Sequence, residues 1–156
     1  MSLELTVAQK LIRRHKTLAI AESCTGGLLT HRLTNIPGSS NFLIAAIISY
    51  TDEAKTTLLK IPKRILHQHG AVSQTVAKLM AQNIRKQFGS DFGIGITGIA
   101  GPTGGSKTKP VGLVYIAVSA STQKTVCQKF LFRGNRLQNK TQAADEALKI
   151  MLKKLI

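Results

Sequence analysis

The chain has 156 residues, 43% of them apolar and 4% aromatic, with no tryptophan, a length and composition that suit one domain with an aliphatic core. No apolar run approaches the ~18 residues a membrane-spanning helix needs, and two cysteines exclude a disulfide scaffold. The net charge of +15 admits polyanion contacts, but the basic residues are spread from Arg13 to Lys154 without zinc-finger spacing or an RNA-binding aromatic motif, so no specific nucleic-acid partner is expected.

Residues 3–15 place Leu3, Val7, Leu11 and Ile12 on one helical face. Charged residues interrupt the pattern, which reads as an amphipathic helix and not a secretion leader. With so few cysteines, a reduced, cytoplasmic chain that does not enter a membrane is expected. Thr17–Ala21 predicts a short buried strand, and Gly26–Ile36 a helix closed by Pro37-Gly38-Ser39-Ser40. The apolar run Phe42–Tyr50 predicts a strand covered on both faces. Thr51-Asp52-Glu53 opens a helix with acidic residues in its first turn, carrying Lys55, Leu58 and Leu59. Pro62–His69 is a short basic helix or turn. Ser73–Phe88 is amphipathic, with Val76, Leu79, Met80 and Ile84 inward. Phe92–Thr97 is a strand, Gly98–Pro110 a long loop, Val111–Ser119 and Val126–Phe132 a hairpin, and Gln138–Leu155 the closing helix. This order predicts an α/β fold, a single three-layer α/β/α domain over residues 1–156 with a mostly parallel mixed sheet.

Three loops follow strand patterns: Glu22–Gly27, Tyr50–Lys55 and Thr97–Gly105. In an open α/β sheet such loops share the carboxyl edge, where ligands bind. Ser23 therefore has two readings. It is either a helix cap or a nucleophile beside the helix-start amides of Thr25, Gly26 and Gly27, which would receive an oxyanion. A serine nucleophile needs a base. His15, His31, His67 and His69 all fall in or beside helix patterns, which leaves Lys55, either a surface lysine or the base of a Ser–Lys pair. Tyr50 could orient that lysine or pass a proton. Cys24, next to the serine, reads as a buried thiol rather than as the nucleophile. GIGITG (93–98) matches G-x-G-x-x-G literally, but it lies inside a strand pattern and no helix follows. The segment from Gly98 to Pro110 lacks a P-loop ending and reads as either a surface loop or an anion cradle. No His, Cys or carboxylate spacing fits a metal.

AESCTGG (21–27), SYTDEAK (49–55) and TGIAGPTGGSKTKPVG (97–112), with PGSS (37–40), GAVS (70–73) and GNR (134–136), resemble the CinA C-terminal domain family over nearly the whole chain. Its stand-alone members include nicotinamide-nucleotide amidases. The large N-terminal domain of full-length CinA proteins has no counterpart in the resemblance. The resemblance implies deamidation of nicotinamide mononucleotide to nicotinate mononucleotide and ammonia, in NAD recycling, with no metal or cofactor. It implies Ser23 as nucleophile, Lys55 as base and Tyr50 as a supporting catalytic residue. Thr97 and Gly98 match the site, Gly38, Ser39 and Ser40 a turn near the substrate, and Arg136, with Arg133 as the competing choice, a substrate-binding arginine. It also implies a homo-oligomer. Family members often carry Asn where this chain has Asp52, Asp where it has Thr103 and Glu where it has Gln74. An Asp at position 52 would favour the protonated lysine. The alternative to an amidase is a catalytically weak CinA-like domain that binds a nucleotide or nucleic acid.

Overall fold

A computed structural model describes residues 1–156. Its elements, in chain order, are α1 (Leu3–Arg13), β1 (Leu18–Glu22), α2 (Leu28–Thr34), β2 (Leu43–Ile48), α3 (Asp52–Leu59), α4 (Lys63–His69), α5 (Gln74–Phe88), β3 (Phe92–Gly98), β4 (Leu113–Ala120), β5 (Val126–Leu131) and α6 (Arg136–Lys154). A 3₁₀ turn spans Ser39–Asn41. The strands form one mixed sheet in the order β2-β1-β3-β4-β5. β1 pairs in parallel with β2 and β3, and the pairs β3–β4 and β4–β5 are antiparallel. Four of the five strands thus point one way, and only β4 runs back.

Helices cover both faces. A core of 24 buried residues joins α1, α2 and α6 to one face, with Val7, Leu11, Leu33, Leu148 and Met151 among them. A smaller cluster under α3, α4 and α5 includes Leu59, Ile61, Leu66, Val76, Met80 and Ile84. The caps follow from local sequence. Ser73 accepts the Val76 amide at 3.3 Å to start α5, and Asn135 and Gln138 form a reciprocal capping box. That box starts α6 at Arg136, two residues earlier than the apolar periodicity indicates. The helix expected after Thr51 is α3, which ends at Leu59 because Lys60 turns left-handed at φ 56°, and the segment read as a short basic helix or turn is the helix α4.

Two expectations are corrected. β2 is an edge strand and is covered on one side only: Ile44 and Ile48 are 48% and 49% exposed. A run of isoleucine and alanine carries no polar alternation to reveal that. The helix expected from Gly26 begins at Leu28, because Gly26 and Gly27 adopt φ of 61° and 97°, outside the helical region.

GIGITG also finds its physical reason in packing. A Cβ on Gly93 would stand 2.1 Å from the Ala81 carbonyl oxygen, and one on Gly95 2.4 Å from that of Ala77. These glycines let α5 lie directly on β3.

Candidate active site

Because β1 and β3 are parallel to β2, the segments that follow them emerge at one edge of the sheet. Ser23 comes directly after β1. The Ser49 amide donates to the Glu22 carbonyl at 2.9 Å, which continues the β1–β2 pairing and sets Ser49 beside the serine. Thr51 then caps α3 by accepting the Ala54 amide at 3.1 Å, and Lys55 points back from the first turn of that helix.

Lys55 Nζ lies 3.0 Å from Ser23 Oγ and donates to the Ser49 carbonyl at 2.7 Å. Lys55 is 1% exposed and Ser23 7%. No carboxylate pairs with this lysine. Burial is the main influence on Lys55 and pushes its pKa below the ordinary lysine value; the fields of Asp52 and Cys24 act the other way without reversing it. Asp52 is exposed to solvent. A neutral Lys55 can donate one N–H to Ser49 and accept the Ser23 hydroxyl proton, the arrangement required of a general base. The Cys24 thiol is pushed up to about 12, chiefly by burial, so it stays protonated and is a poor nucleophile near neutral pH.

The loop after Ser23 is held from beneath by Glu22. Its buried carboxylate accepts from the amides of Gly27, Leu29 and Thr30 and from the Thr30 hydroxyl. The Gly26 amide donates to the Ser23 carbonyl and the Leu28 amide to that of Thr25. Gly26 and Gly27 are therefore already engaged and do not offer amides to an oxyanion. The amides of Cys24 and Thr25 have no acceptor within the chain. The buried hydroxyls of Thr25 and Ser49 also lack a partner.

Ser23 opens into a cavity of about 210 Å³ lined by Cys24, Tyr50, Arg136, the segment 98–101, Thr103 and Gly104. Arg136 donates to the Gly101 carbonyl at 2.7 Å and to the Tyr50 hydroxyl at 2.8 Å. Asn139, one turn further along α6, donates to the Ala100 carbonyl at 3.0 Å. Together these side chains fix the first part of the loop after β3.

The structure thus brings Ser23, Lys55, Tyr50, Gly98 and Arg136 together. Tyr50 stands 57% exposed at the rim with its hydroxyl on Arg136, so Lys55 is oriented by the Ser49 carbonyl and not by Tyr50. Thr97 is buried next to the site and donates to the Ala71 carbonyl at 2.9 Å, which anchors the 70–73 turn. Gly38, Ser39 and Ser40 lie apart. They precede β2, and β2 runs parallel to β1, so they occupy the opposite edge of the sheet from Ser23 within the chain. Arg133 does not line the cavity. The sequence reading gave no role to Glu22, the Ser49 carbonyl or Asn139. An acid just before a helix start is a signal for Glu22, but its reach to Thr30 matches no capping spacing. No cluster of three or more His, Cys, Asp or Glu side chains is present, and no helix is long and apolar enough to cross a membrane.

Residues 1–155 match the family model of the CinA C-terminal domain. A CinA-like protein of Syntrophus aciditrophicus is 49% identical over 156 residues, which cover 99% of this chain and 37% of that relative. The crystal structure of a CinA superfamily protein from Klebsiella pneumoniae superposes with a TM-score of 0.94 at 34% identity, covering 98% of this chain and 95% of that one. The crystal structure of the competence/damage inducible protein CihA from Agrobacterium tumefaciens gives 0.91 at 33% identity, covering 99% and 96%. The chain spans 37% of the length of the first curated relatives it matches.

Proposed function

This chain belongs to the CinA C-terminal domain family, and we propose that it is a serine amidohydrolase that deamidates nicotinamide mononucleotide. What carries the reading is the buried 3.0 Å contact between Lys55 Nζ and Ser23 Oγ, with no carboxylate paired to the lysine. Ser23 Oγ attacks the carboxamide carbon as Lys55 takes its proton. The tetrahedral oxyanion is received by the free amides of Cys24 and Thr25. Protonated Lys55 gives its proton to the leaving nitrogen, and ammonia departs. Water, deprotonated in turn by Lys55, then hydrolyses the Ser23 ester and releases nicotinate mononucleotide.

The substrate class follows from size and charge. A cavity of about 210 Å³ is small for a whole nucleotide and suits the pyridine ring with its carboxamide. Arg136 at the rim has only neutral hydrogen-bond partners, so its charge is available to a phosphate. The +15 charge favours a second reading, a catalytically weak domain that binds a nucleotide or nucleic acid.

The test is a panel of amides: nicotinamide mononucleotide, nicotinamide riboside and nicotinamide, each assayed for ammonia. Turnover highest for the mononucleotide supports the proposal, because loss of the phosphate removes transition-state binding. No ammonia from any of the three, together with tight nucleic-acid binding at physiological salt, would select the second reading.

A further inference from the structure

We propose that Lys140 is a second cation of the substrate site, which with Arg136 receives the phosphate and makes the site selective for phosphorylated amides. This rests on the amidase reading above. Arg136 and Lys140 are four residues apart on α6, about 6 Å along its axis, and so share one helix face. Lys140 is half-buried, and its Nζ lies 3.6 Å from where a Cβ would stand on Gly26, against the nucleophile loop. Its field, like that of Lys55, reaches Cys24, where both oppose the dominant effect of burial on the thiol.

Neither cation has an acidic partner. Arg136 donates to a carbonyl and a phenol, and Lys140 makes no ion pair. The two acids of α6 are engaged elsewhere, Asp145 by Arg32 and Glu146 by Lys149. The carboxylate of Glu22, beneath the same loop, is filled by four donors. Like charges at this spacing oppose the helix, and no carboxylate forms an ion pair with either of them. A phosphate would: the guanidinium fork takes two of its oxygens and the ammonium takes the third.

The size of the cavity places the phosphate in the same region. If the ring fills the space over Ser23, the ribose and phosphate must lie outside, at the rim. The hollow on the other side of Arg136, lined by Ala100, Pro102, Val111, Gly134, Asn135 and Leu137, brings no second cation. Lys140 lines neither hollow but stands one turn along α6 from Arg136, with its ammonium against Gly26.

The experiment has two readouts on Lys140→Gln and Lys140→Arg. In the first, kcat/KM is measured for nicotinamide mononucleotide and for nicotinamide riboside. The ratio of the two falls roughly tenfold in Lys140→Gln, as expected for loss of one charge-assisted hydrogen bond, and Lys140→Arg restores most of it. In the second, ribose 5-phosphate is titrated by calorimetry, which needs no turnover. Its Kd rises about tenfold in Lys140→Gln. An unchanged ratio, unchanged binding in Lys140→Gln, or no binding of ribose 5-phosphate to the parent would each overturn the role of Lys140. Weakened binding in a protein that releases no ammonia would leave Lys140 as a phosphate ligand and sink the amidase reading instead.

Discussion

Replacing Glu22 with Gln tests whether the nucleophile loop is held as described. The carboxylate is 0% exposed. One oxygen accepts the Gly27 and Leu29 amides at 3.0 and 3.3 Å, and the other accepts the Thr30 amide and hydroxyl at 2.8 and 2.6 Å. Glutamine keeps the shape but must turn an NH₂ toward one of these pairs. Turned toward Gly27 and Leu29, it faces two amide donors. Turned toward Thr30, it can donate to the hydroxyl but still faces the Thr30 amide. At least one donor is orphaned, at about 1–3 kcal/mol, and the remaining bonds lose their charge assistance. The sum is about 2–4 kcal/mol, a large part of the stability of a domain of this size. At roughly 2–4 °C per kcal/mol, Tm falls by about 4–16 °C. Differential scanning calorimetry reads this directly, and kcat falls alongside because Ser23 sits on the loosened loop. A variant melting within 2 °C of the parent, with unchanged kcat, would refute the reasoning.

Asp52→Asn removes a field that favours protonated Lys55. The pKa of Lys55 moves further down, the base is neutral at lower pH, and the acid limb of the kcat/KM profile shifts to lower pH; a shift to higher pH would contradict the assignment of Lys55. Gly95→Ala puts a Cβ 2.4 Å from the Ala77 carbonyl oxygen and 2.7 Å from the Ala81 amide nitrogen. It costs roughly 1–3 kcal/mol in urea unfolding, and a neutral result would mean that α5 can lift from β3 freely.

Strand and helix alternation was legible because the buried strands are short apolar runs and the amphipathic helices of α1, α5 and α6 keep a 3.6-residue period. The side on which β2 is exposed was not, since strand order decides which run lies at an edge and Phe42–Tyr50 reads the same in either place. Ser23, Lys55 and Arg136 could be singled out from loops and motifs. What joins them is non-local. The Ser49 carbonyl has no side-chain signature, Glu22 reaches eight residues ahead to Thr30, and Asn139 meets Ala100 only after α6 has packed across the sheet. Thr25, Gly26 and Gly27 all look like amide donors for an oxyanion in sequence, but the amides of Gly26 and Gly27 are engaged within the loop, which leaves that of Thr25 free together with the amide of Cys24. The turn at Gly38–Ser40 resembles the family pattern closely, yet parallel pairing of β1 and β2 carries it to the other end of the sheet.

The most direct measurement is ammonia release from nicotinamide mononucleotide by the parent protein, Ser23→Ala and Lys55→Ala under identical conditions, with each variant's fold checked by its melting curve. The account predicts turnover in the parent, none detectable in Ser23→Ala, and a loss of at least about a hundredfold in Lys55→Ala, the lower bound for a general base. Parent-like turnover in folded Ser23→Ala would contradict the account at its centre.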